Sequence, residues 1–138
     1  MFFPSFCKDL EAQKFTNAKI LLIDDIDMFL YMQKTFLKLS SVNLFAARNG
    51  LEALESTRKE RPSLIFMGLH MPTMDDAVCC ARIKADRGLK SLPVVMITSK
   101  GKEDQEICIK SGCDAFLTKP LDRARYLATA LKYLPDTN

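Results

Sequence analysis

The strongest constraint on the fold is a regular alternation between short apolar runs and segments with helical periodicity. Five mostly apolar runs recur along the chain, at residues 18–23, 42–47, 64–67, 94–98 and 115–118. Runs of this length are typical of strands buried on both faces, because one-sided burial would give a strict alternation of apolar and polar residues. The pattern therefore predicts five buried strands.

The segments between these runs repeat their apolar residues at helical spacing. They predict helices at residues 27–39, 51–60, 75 or 76 to about 87, 102–110 and about 122–134. Asp27 is expected to cap the first helix. The residues expected to point inward are Leu51, Ala53 and Leu54 in the second helix and Val78, Ala81 and Ile83 in the third. Strands that alternate with helices predict an α/β fold, here a single-domain, doubly wound, five-stranded parallel sheet with helices on both faces.

The length of the chain fits one such domain. The 138 residues suffice for a single sizeable core, and we assign residues 18–135 to it. Residues 1–17 lie outside the alternation, and we expect them to form an N-terminal extension that is either a short helix or a tail.

Composition and charge exclude several classes of protein. Apolar residues make up 48% of the chain and charged residues 27%, which is ordinary globular usage and argues against disorder. The net charge of +3 is too small and too evenly spread to predict direct binding to nucleic acid. No apolar run is long enough to cross a bilayer, so we expect no membrane association.

The N-terminus and the cysteines indicate a cytoplasmic location. Lys8 and Asp9 follow the apolar start of the chain too early for a signal-peptide core. The five cysteines are odd in number and include no C-x-x-C pair, so they predict free thiols in a reducing compartment.

Polar residues and one glycine stand where the predicted strands end. In a doubly wound sheet the functional site lies beyond the carboxyl ends of the strands. The residues at those ends are Asp24 and Asp25 after the first strand, Gly68 after the third, Thr98 at the end of the fourth and Lys119 after the fifth.

Five motifs around these positions resemble those of the response-regulator receiver domain of two-component signalling, the CheY-like family. They are LLIDD at 21–25, N-G-x-E-A-L at 49–54, L-x-M-P-x-M-D at 69–75, VVMITS at 94–99 and DAFLTKP at 114–120. Each motif alone is weak, but five in register on matching elements are strong evidence. The resemblance covers residues 18–134 and implies the strand order 2-1-3-4-5.

The resemblance also implies a role for each strand-end residue. Asp24 and Asp25 match the acidic pair that binds Mg²⁺, and the backbone carbonyl of His70 matches a further metal ligand. Gly68 stands where the family has the aspartate that accepts a phosphoryl group from a histidine kinase.

Three residues match the remainder of the family's phosphate pocket. Thr98 matches the hydroxyl residue that contacts the phosphoryl group, and Lys119 matches the lysine that neutralises it. Phe116 matches the aromatic switch residue. The residues themselves leave plainer interpretations open: Thr98 as the end of a strand, Phe116 as packing and Lys119 as a surface lysine before a proline.

The missing aspartate has two chemical consequences. Glycine supplies no oxygen nucleophile, so residue 68 cannot accept a phosphoryl group. Mg²⁺ prefers several oxygen ligands and would lose one carboxylate here, so we expect weak or vestigial metal binding. We also hypothesise that Lys119 pairs directly with Asp24 or Asp25.

These observations favour a non-enzymatic receiver that acts through protein–protein contacts. Its expected partner is another signalling protein or a histidine kinase, bound by the face that contains the fourth helix, fifth strand and fifth helix. A homodimer through this face is compatible with the sequence, although no residue spacing supports it.

Two alternatives remain open. The chain could be an ordinary phosphate-accepting receiver in which Gly68 is a recent or introduced change. Alternatively, Asp25-Ile26-Asp27 could belong to a phosphatase of the haloacid dehalogenase type with Asp25 as the nucleophile, although the chain is short for that family and has no cap insertion.

Overall fold

Five strands and five helices alternate in the computed structural model, which describes residues 18–38, 42–68, 76–99 and 101–134. In chain order they are β1 (Lys19–Ile23), α1 (Asp27–Phe36), β2 (Asn43–Ala47), α2 (Gly50–Glu60), β3 (Leu64–Gly68), α3 (Asp76–Ala85), β4 (Val94–Thr98), α4 (Gly101–Ser111), β5 (Ala115–Thr118) and α5 (Arg123–Tyr133). All neighbouring strands are parallel, in the order β2-β1-β3-β4-β5. The predicted fold class and strand order are confirmed.

The sheet separates two apolar layers. On one side Ile20, Leu22 and Phe66 belong to a cluster that includes residues of α1 and α5. On the other side Leu21 and Ile23 belong to a cluster with residues of α2, α3 and α4. Burial on both faces explains why β1, β3 and β4 are continuously apolar in sequence.

The N-cap and the end of α1 differ from the predicted ones. Ile26, not Asp27, is the N-cap of α1, and Asp27 lies in its first turn. The helix ends at Phe36, before the predicted residue 39. Ala53, Leu54 and Ile83 are buried as predicted. The prediction was wrong for Leu51 and Val78, which are 54% and 44% exposed, and for Ala81, which is also exposed, because Cys79 and Cys80 occupy the inward positions of α3.

Two helix ends adopt the left-handed conformation. Gly112 follows α4 with φ of 83°, which glycine adopts without steric cost and which agrees with its predicted role as a helix stop. Arg61 ends α2 with φ of 46°, which is uncommon for a residue with a side chain.

The predicted N-terminal extension at 1–17 lies outside the described residues, so its helix or tail stays a prediction. No helix in the described part of the chain is both long enough and apolar enough to cross a membrane.

Candidate functional site

The carboxyl ends of the strands bring together the predicted site residues that the structure describes. Asp24 directly follows β1, Gly68 ends β3 and Thr98 ends β4. Lys119 directly follows β5, and its backbone N–H donates to the carbonyl of Thr98 at 2.7 Å. His70 lies outside the described residues, and so does the rest of the loop that leads from β3 to α3.

Asp24 is the most buried ionisable group of this site. It is 2% exposed, and its Oδ1 accepts a hydrogen bond from the backbone N–H of Ile26 at 3.0 Å. Its Oδ2 accepts no hydrogen bond from the described residues. Burial raises the pKa of the Asp24 carboxyl above its ordinary value, while the Ile26 N–H and the Lys119 ammonium act in the opposite direction.

The carboxylate of Asp24 fills the space that a side chain at residue 68 would occupy. A Cβ atom added at Gly68 would lie 2.8 Å from Asp24 Oδ2 and 3.2 Å from Asp24 Cγ. Those separations are shorter than non-bonded contacts normally allow. The present arrangement of Asp24 therefore depends on the absence of a side chain at residue 68.

Lys119 is held between Asp24 and an aromatic ring. Its Nζ lies 3.9 Å from Asp24 Oδ2 and 3.5 Å from the centre of the Phe29 ring. An ammonium group over an aromatic face is attracted by the ring quadrupole. The pairing of Lys119 with Asp24 that we hypothesised from the sequence is present, and Phe29 is a further contact that the sequence did not indicate.

Phe29 was overlooked because its apolar character was explained by the helical periodicity of α1. It stands five residues after Asp24, in the first turn of α1. A position in the first turn after the acidic pair lies close to the strand ends, and this proximity was the signal that could have identified it.

Thr98 and Phe116 have neighbours within the sheet. Thr98 is fully buried, and its hydroxyl donates a long hydrogen bond of 3.5 Å to the carbonyl of Leu117. Phe116 is half-buried and packs against the core layer that includes α2, α3 and α4. It also lines a cavity of about 330 Å³ with Gln105 and Arg125, between α4 and α5.

The carboxylates near the site fit a divalent cation only in part. Within the described residues, no group of three or more His, Cys, Asp or Glu side chains has the geometry of a metal site. Asp24 Oδ2 is a buried oxygen without a hydrogen bond, which suits a hard cation. Asp25 is a second, half-buried carboxylate, whereas Asp27 pairs with Arg48 and its side chain is 77% exposed.

Cys80, Cys108 and Cys113 form a separate group between α3 and α4. The four described cysteines are free thiols. Burial raises the pKa values of Cys80, Cys108 and Cys113, that of Cys108 to about 12. These thiols are therefore protonated at neutral pH and are poor nucleophiles.

A cavity of about 430 Å³ lies outside the strand-end site, between α1, β2 and α2. Tyr31 and Lys34 line it from α1, Ala46 lines it from β2, and Glu52 and Glu55 line it from α2.

Comparisons with known proteins agree with the fold and with the sequence motifs. A family model described as the response regulator receiver domain matches residues 20–131. The polar-differentiation response regulator DivK of Brucella anthropi is 30% identical over 118 residues, which cover 85% of this chain and 96% of DivK.

Solved structures give the same result. The chemotaxis response regulator CheY4 of Vibrio cholerae superposes with a TM-score of 0.79 at 26% identity, covering 86% of this chain and 100% of CheY4. The Mn²⁺-bound form of response regulator Rcp1 superposes with a TM-score of 0.70 at 26% identity, covering 83% of this chain and 90% of Rcp1.

Proposed function

This chain belongs to the response regulator receiver domain family, and from that premise we propose that it is a degenerate receiver. In this proposal it accepts no phosphoryl group, catalyses no reaction and signals through protein–protein contacts. Receiver domains of two-component systems interact with histidine kinases and other signalling proteins, and a partner of this kind is proposed for this chain.

The observation that carries the proposal is that the Asp24 carboxylate lies in the space where a side chain at residue 68 would stand. Residue 68 has no side chain, and Asp24 fills the space beside it, with Oδ2 2.8 Å from the position of a residue-68 Cβ. Lys119, which matches the residue that neutralises a phosphoryl group, already has Asp24 and Phe29 as neighbours. The Lys119 ammonium therefore already has partners within the chain.

Asp24 is a poor substitute for the missing phosphoacceptor. Transfer to an acceptor requires attack by an exposed, ionised carboxylate oxygen on phosphorus. Asp24 is 2% exposed, and burial raises its pKa. Attack by Asp24 would also break its ion pair with Lys119.

We propose that Mg²⁺ binds more weakly here than in a receiver with three carboxylates. Asp24 and Asp25 would hold the ion together with the backbone carbonyl of His70. When bound, the cation would supply positive charge that neutralises the two carboxylates. Asp24 would have to exchange its contact with Lys119 for the metal, which lowers the net gain from binding.

The proposed contact surface is the face formed by α4, β5 and α5. Ile109 on α4 is 70% exposed, and the 330 Å³ cavity beside Phe116 lies on the same face. An exposed apolar side chain beside a cavity suits a protein partner better than a phosphate ester.

The deciding experiment is incubation with acetyl phosphate and Mg²⁺, followed by measurement of the intact mass. We expect no phosphoryl adduct on the wild-type chain. Gly68→Asp restores an acceptor, and Asp24 can move away because only the end of its side chain obstructs the new Cβ. Gly68→Asp is therefore expected to gain one phosphoryl group.

Gly68→Asn is the matched control, since it adds a side chain of the same size without a nucleophilic carboxylate. It is expected to remain unmodified. A phosphoryl adduct on the wild-type chain that is cleaved by hydroxylamine, as acyl phosphates are, would contradict the proposal.

The two alternatives fare differently. If Gly68→Asp is phosphorylated efficiently, the other residues that an ordinary receiver needs are retained, and the glycine at residue 68 alone prevents phosphorylation.

The phosphatase alternative requires Asp27 to act beside Asp25, but Asp27 pairs with Arg48 and is largely exposed. That geometry disfavours it.

A further inference from the structure

The outer edge of β2 is an unpaired strand edge of the described sheet. β2 is the terminal strand, with β1 as its only neighbour in that sheet. Asn43 donates its N–H to the carbonyl of Ala18, and Ala47 accepts from the N–H of Asp24, so both residues face β1. Because backbone groups of alternate residues face opposite sides in a strand, the N–H and C=O groups of Leu44 and Ala46 point outward.

Within the described residues, β2 itself lacks the features that usually protect a terminal strand. Proteins prevent edge pairing with charged residues, proline or a covering segment. β2 reads Asn-Leu-Phe-Ala-Ala and carries no charge or proline, and Ala46 is exposed. The opposite edge differs, because Pro120 lies two residues after β5 and Tyr133 donates to the carbonyl of Asp114 beside it.

We propose that a second copy of this chain binds to the β2 edge in antiparallel orientation, so that two sheets join into one. A two-fold axis at Phe45 would place Leu44 opposite Ala46 of the second copy. Since both members of a hydrogen-bonded antiparallel pair exchange their N–H and C=O groups, the seam would contain about four backbone hydrogen bonds. The same outward residues serve both copies, as a two-fold interface requires.

The charges of α2 suit the antiparallel arrangement. α2 lies against β1 and β2 and therefore runs beside the seam. It has Glu52 in its first turn and Arg58 and Lys59 in its last turn. Antiparallel copies bring the first turn of one α2 towards the last turn of the other, so unlike charges meet.

The cavity between α1 and α2 lies beside the seam and is lined by charged as well as apolar side chains. Tyr31 at its wall is 73% exposed, and Met28 one turn earlier is 64% exposed. Leu44 is half-buried and belongs to the same side of the sheet as α1. Pairing of the two edges would cover Leu44 and bring apolar surface of the second copy towards Tyr31.

Sedimentation equilibrium of the full chain tests the proposal. The apparent mass is expected to rise from 15.6 kDa towards twice that value as concentration increases. Hydrogen exchange supplies a local readout, because the outward amides of Leu44 and Ala46 should become protected at high concentration while the amide of Phe45 is already bonded to β1.

Three variants locate the interface. Ala46→Pro removes an outward N–H that the β1 ladder does not use, so the fold keeps its ladder while the dimer weakens by about tenfold or more. Lys59→Glu sets like charges against each other and should weaken the dimer by about threefold. Lys90→Glu makes the same charge change at an exposed site in the α3–β4 connection and should have no effect.

A further variant covers the case in which Ala46→Pro does not fold. Ala46→Lys keeps the backbone N–H but adds a charge to the edge, and it should also favour the monomer. The proposal is overturned by a monomer at every concentration up to about 0.5 mM. It is equally overturned by a dimer that survives Ala46→Lys but dissociates on Ile109→Glu, since that dimer would use the α4–β5–α5 face.

Protection of the Leu44 and Ala46 amides that does not depend on protein concentration would also overturn it. In that case the edge would be covered by residues of the same chain.

Discussion

At the scale of single residues, the Asp24 carboxylate occupies the space beside Gly68. Because residue 68 has no side chain, Asp24 Oδ2 lies only 2.8 Å from the place that a Cβ atom would take there. This oxygen has no hydrogen-bond donor among the described residues, and its ion pair with Lys119 Nζ is long, at 3.9 Å. A buried carboxylate with a single distant counter-ion destabilises the fold relative to a neutral group of the same shape.

Asp24→Asn is expected to stabilise the protein at neutral pH. The amide keeps the shape and can still accept from the Ile26 N–H, but it removes the buried charge. We expect Tm to rise by roughly 2–5 °C, measured by differential scanning calorimetry. Asp25→Asn, at the neighbouring half-buried carboxylate, should change Tm less, and a lower Tm for Asp24→Asn would contradict the argument.

The increase in unfolding free energy caused by Asp24→Asn should also depend on pH. Because burial raises the pKa of Asp24 in the folded state above 3.8, the folded protein binds a proton more tightly than the unfolded chain does. Stability from this group is therefore lost as pH rises through its folded pKa and regained as pH falls through it. The difference in unfolding free energy between Asp24→Asn and wild type should shrink on acidification, which urea titrations at a series of pH values would show.

The sequence reveals the glycine at the end of the third strand but not the position of the carboxylate beside it. Gly68 is identifiable because the motifs on either side fix the register of the strand end. The position of the Asp24 carboxylate depends on its side-chain torsions and on the space around them, which no local pattern encodes. The contact of Lys119 with Phe29 joins residues ninety positions apart and could not be anticipated from spacing alone.

At the scale of elements, a buried polar contact joins α1 to α5. Tyr126 is fully buried, and its hydroxyl donates to Gln33 Oε1 at 3.0 Å. The Gln33 amide in turn donates to the carbonyl of Phe29 at 3.3 Å. The Tyr126 ring stacks on Phe66 of β3 with ring centres 4.3 Å apart, so this contact fixes both helices against the sheet.

Tyr126→Phe is expected to lower the unfolding free energy by about 1–2 kcal/mol, because Gln33 Oε1 would remain buried without its donor. Urea denaturation measures the change. Tyr133→Phe removes a hydroxyl that donates to the carbonyl of Asp114 at an exposed site, and its effect should be smaller. Equal losses of unfolding free energy for the two substitutions would show that the burial of the Tyr126–Gln33 hydrogen bond does not determine its contribution to stability.

Periodicity predicts the existence of the elements better than their ends. The five strands are found within one residue of the predicted positions because burial on both faces leaves an unambiguous apolar run. α1 ends before residue 39 although Leu37 continues the apolar spacing, and Leu37 is buried from a turn instead of from the helix. The start of α2 follows from Asn49, whose side chain accepts from the Glu52 N–H and caps the helix.

At the scale of the whole molecule, a receiver without an acceptor has no chemical input at the strand ends. A ligand shifts a conformational equilibrium only by its difference in affinity for the two states. The proposed function therefore implies that the α4–β5–α5 face stays in one state until a partner binds there.

Beryllofluoride with Mg²⁺, a mimic of the phosphorylated state, tests this independence. The backbone amide shifts of Gln105, Phe116 and Arg125 should remain unchanged in the wild-type chain when followed by ¹H–¹⁵N NMR. The same amides should shift in Gly68→Asp, where the mimic has a carboxylate to bind. Wild-type shifts confined to this face and saturating with beryllofluoride would show that a trigger remains.

A sheet whose strands all run the same way has a direction, with the Asp24 and Lys119 side chains at its head and Ala18 at its tail. Two such sheets joined edge to edge in antiparallel fashion would lie head to tail. The strand-end sites of the two copies would then lie at opposite ends of the dimer. A single rigid protein could contact only one of these sites at a time. The dimer could therefore bind two partner proteins that do not contact each other.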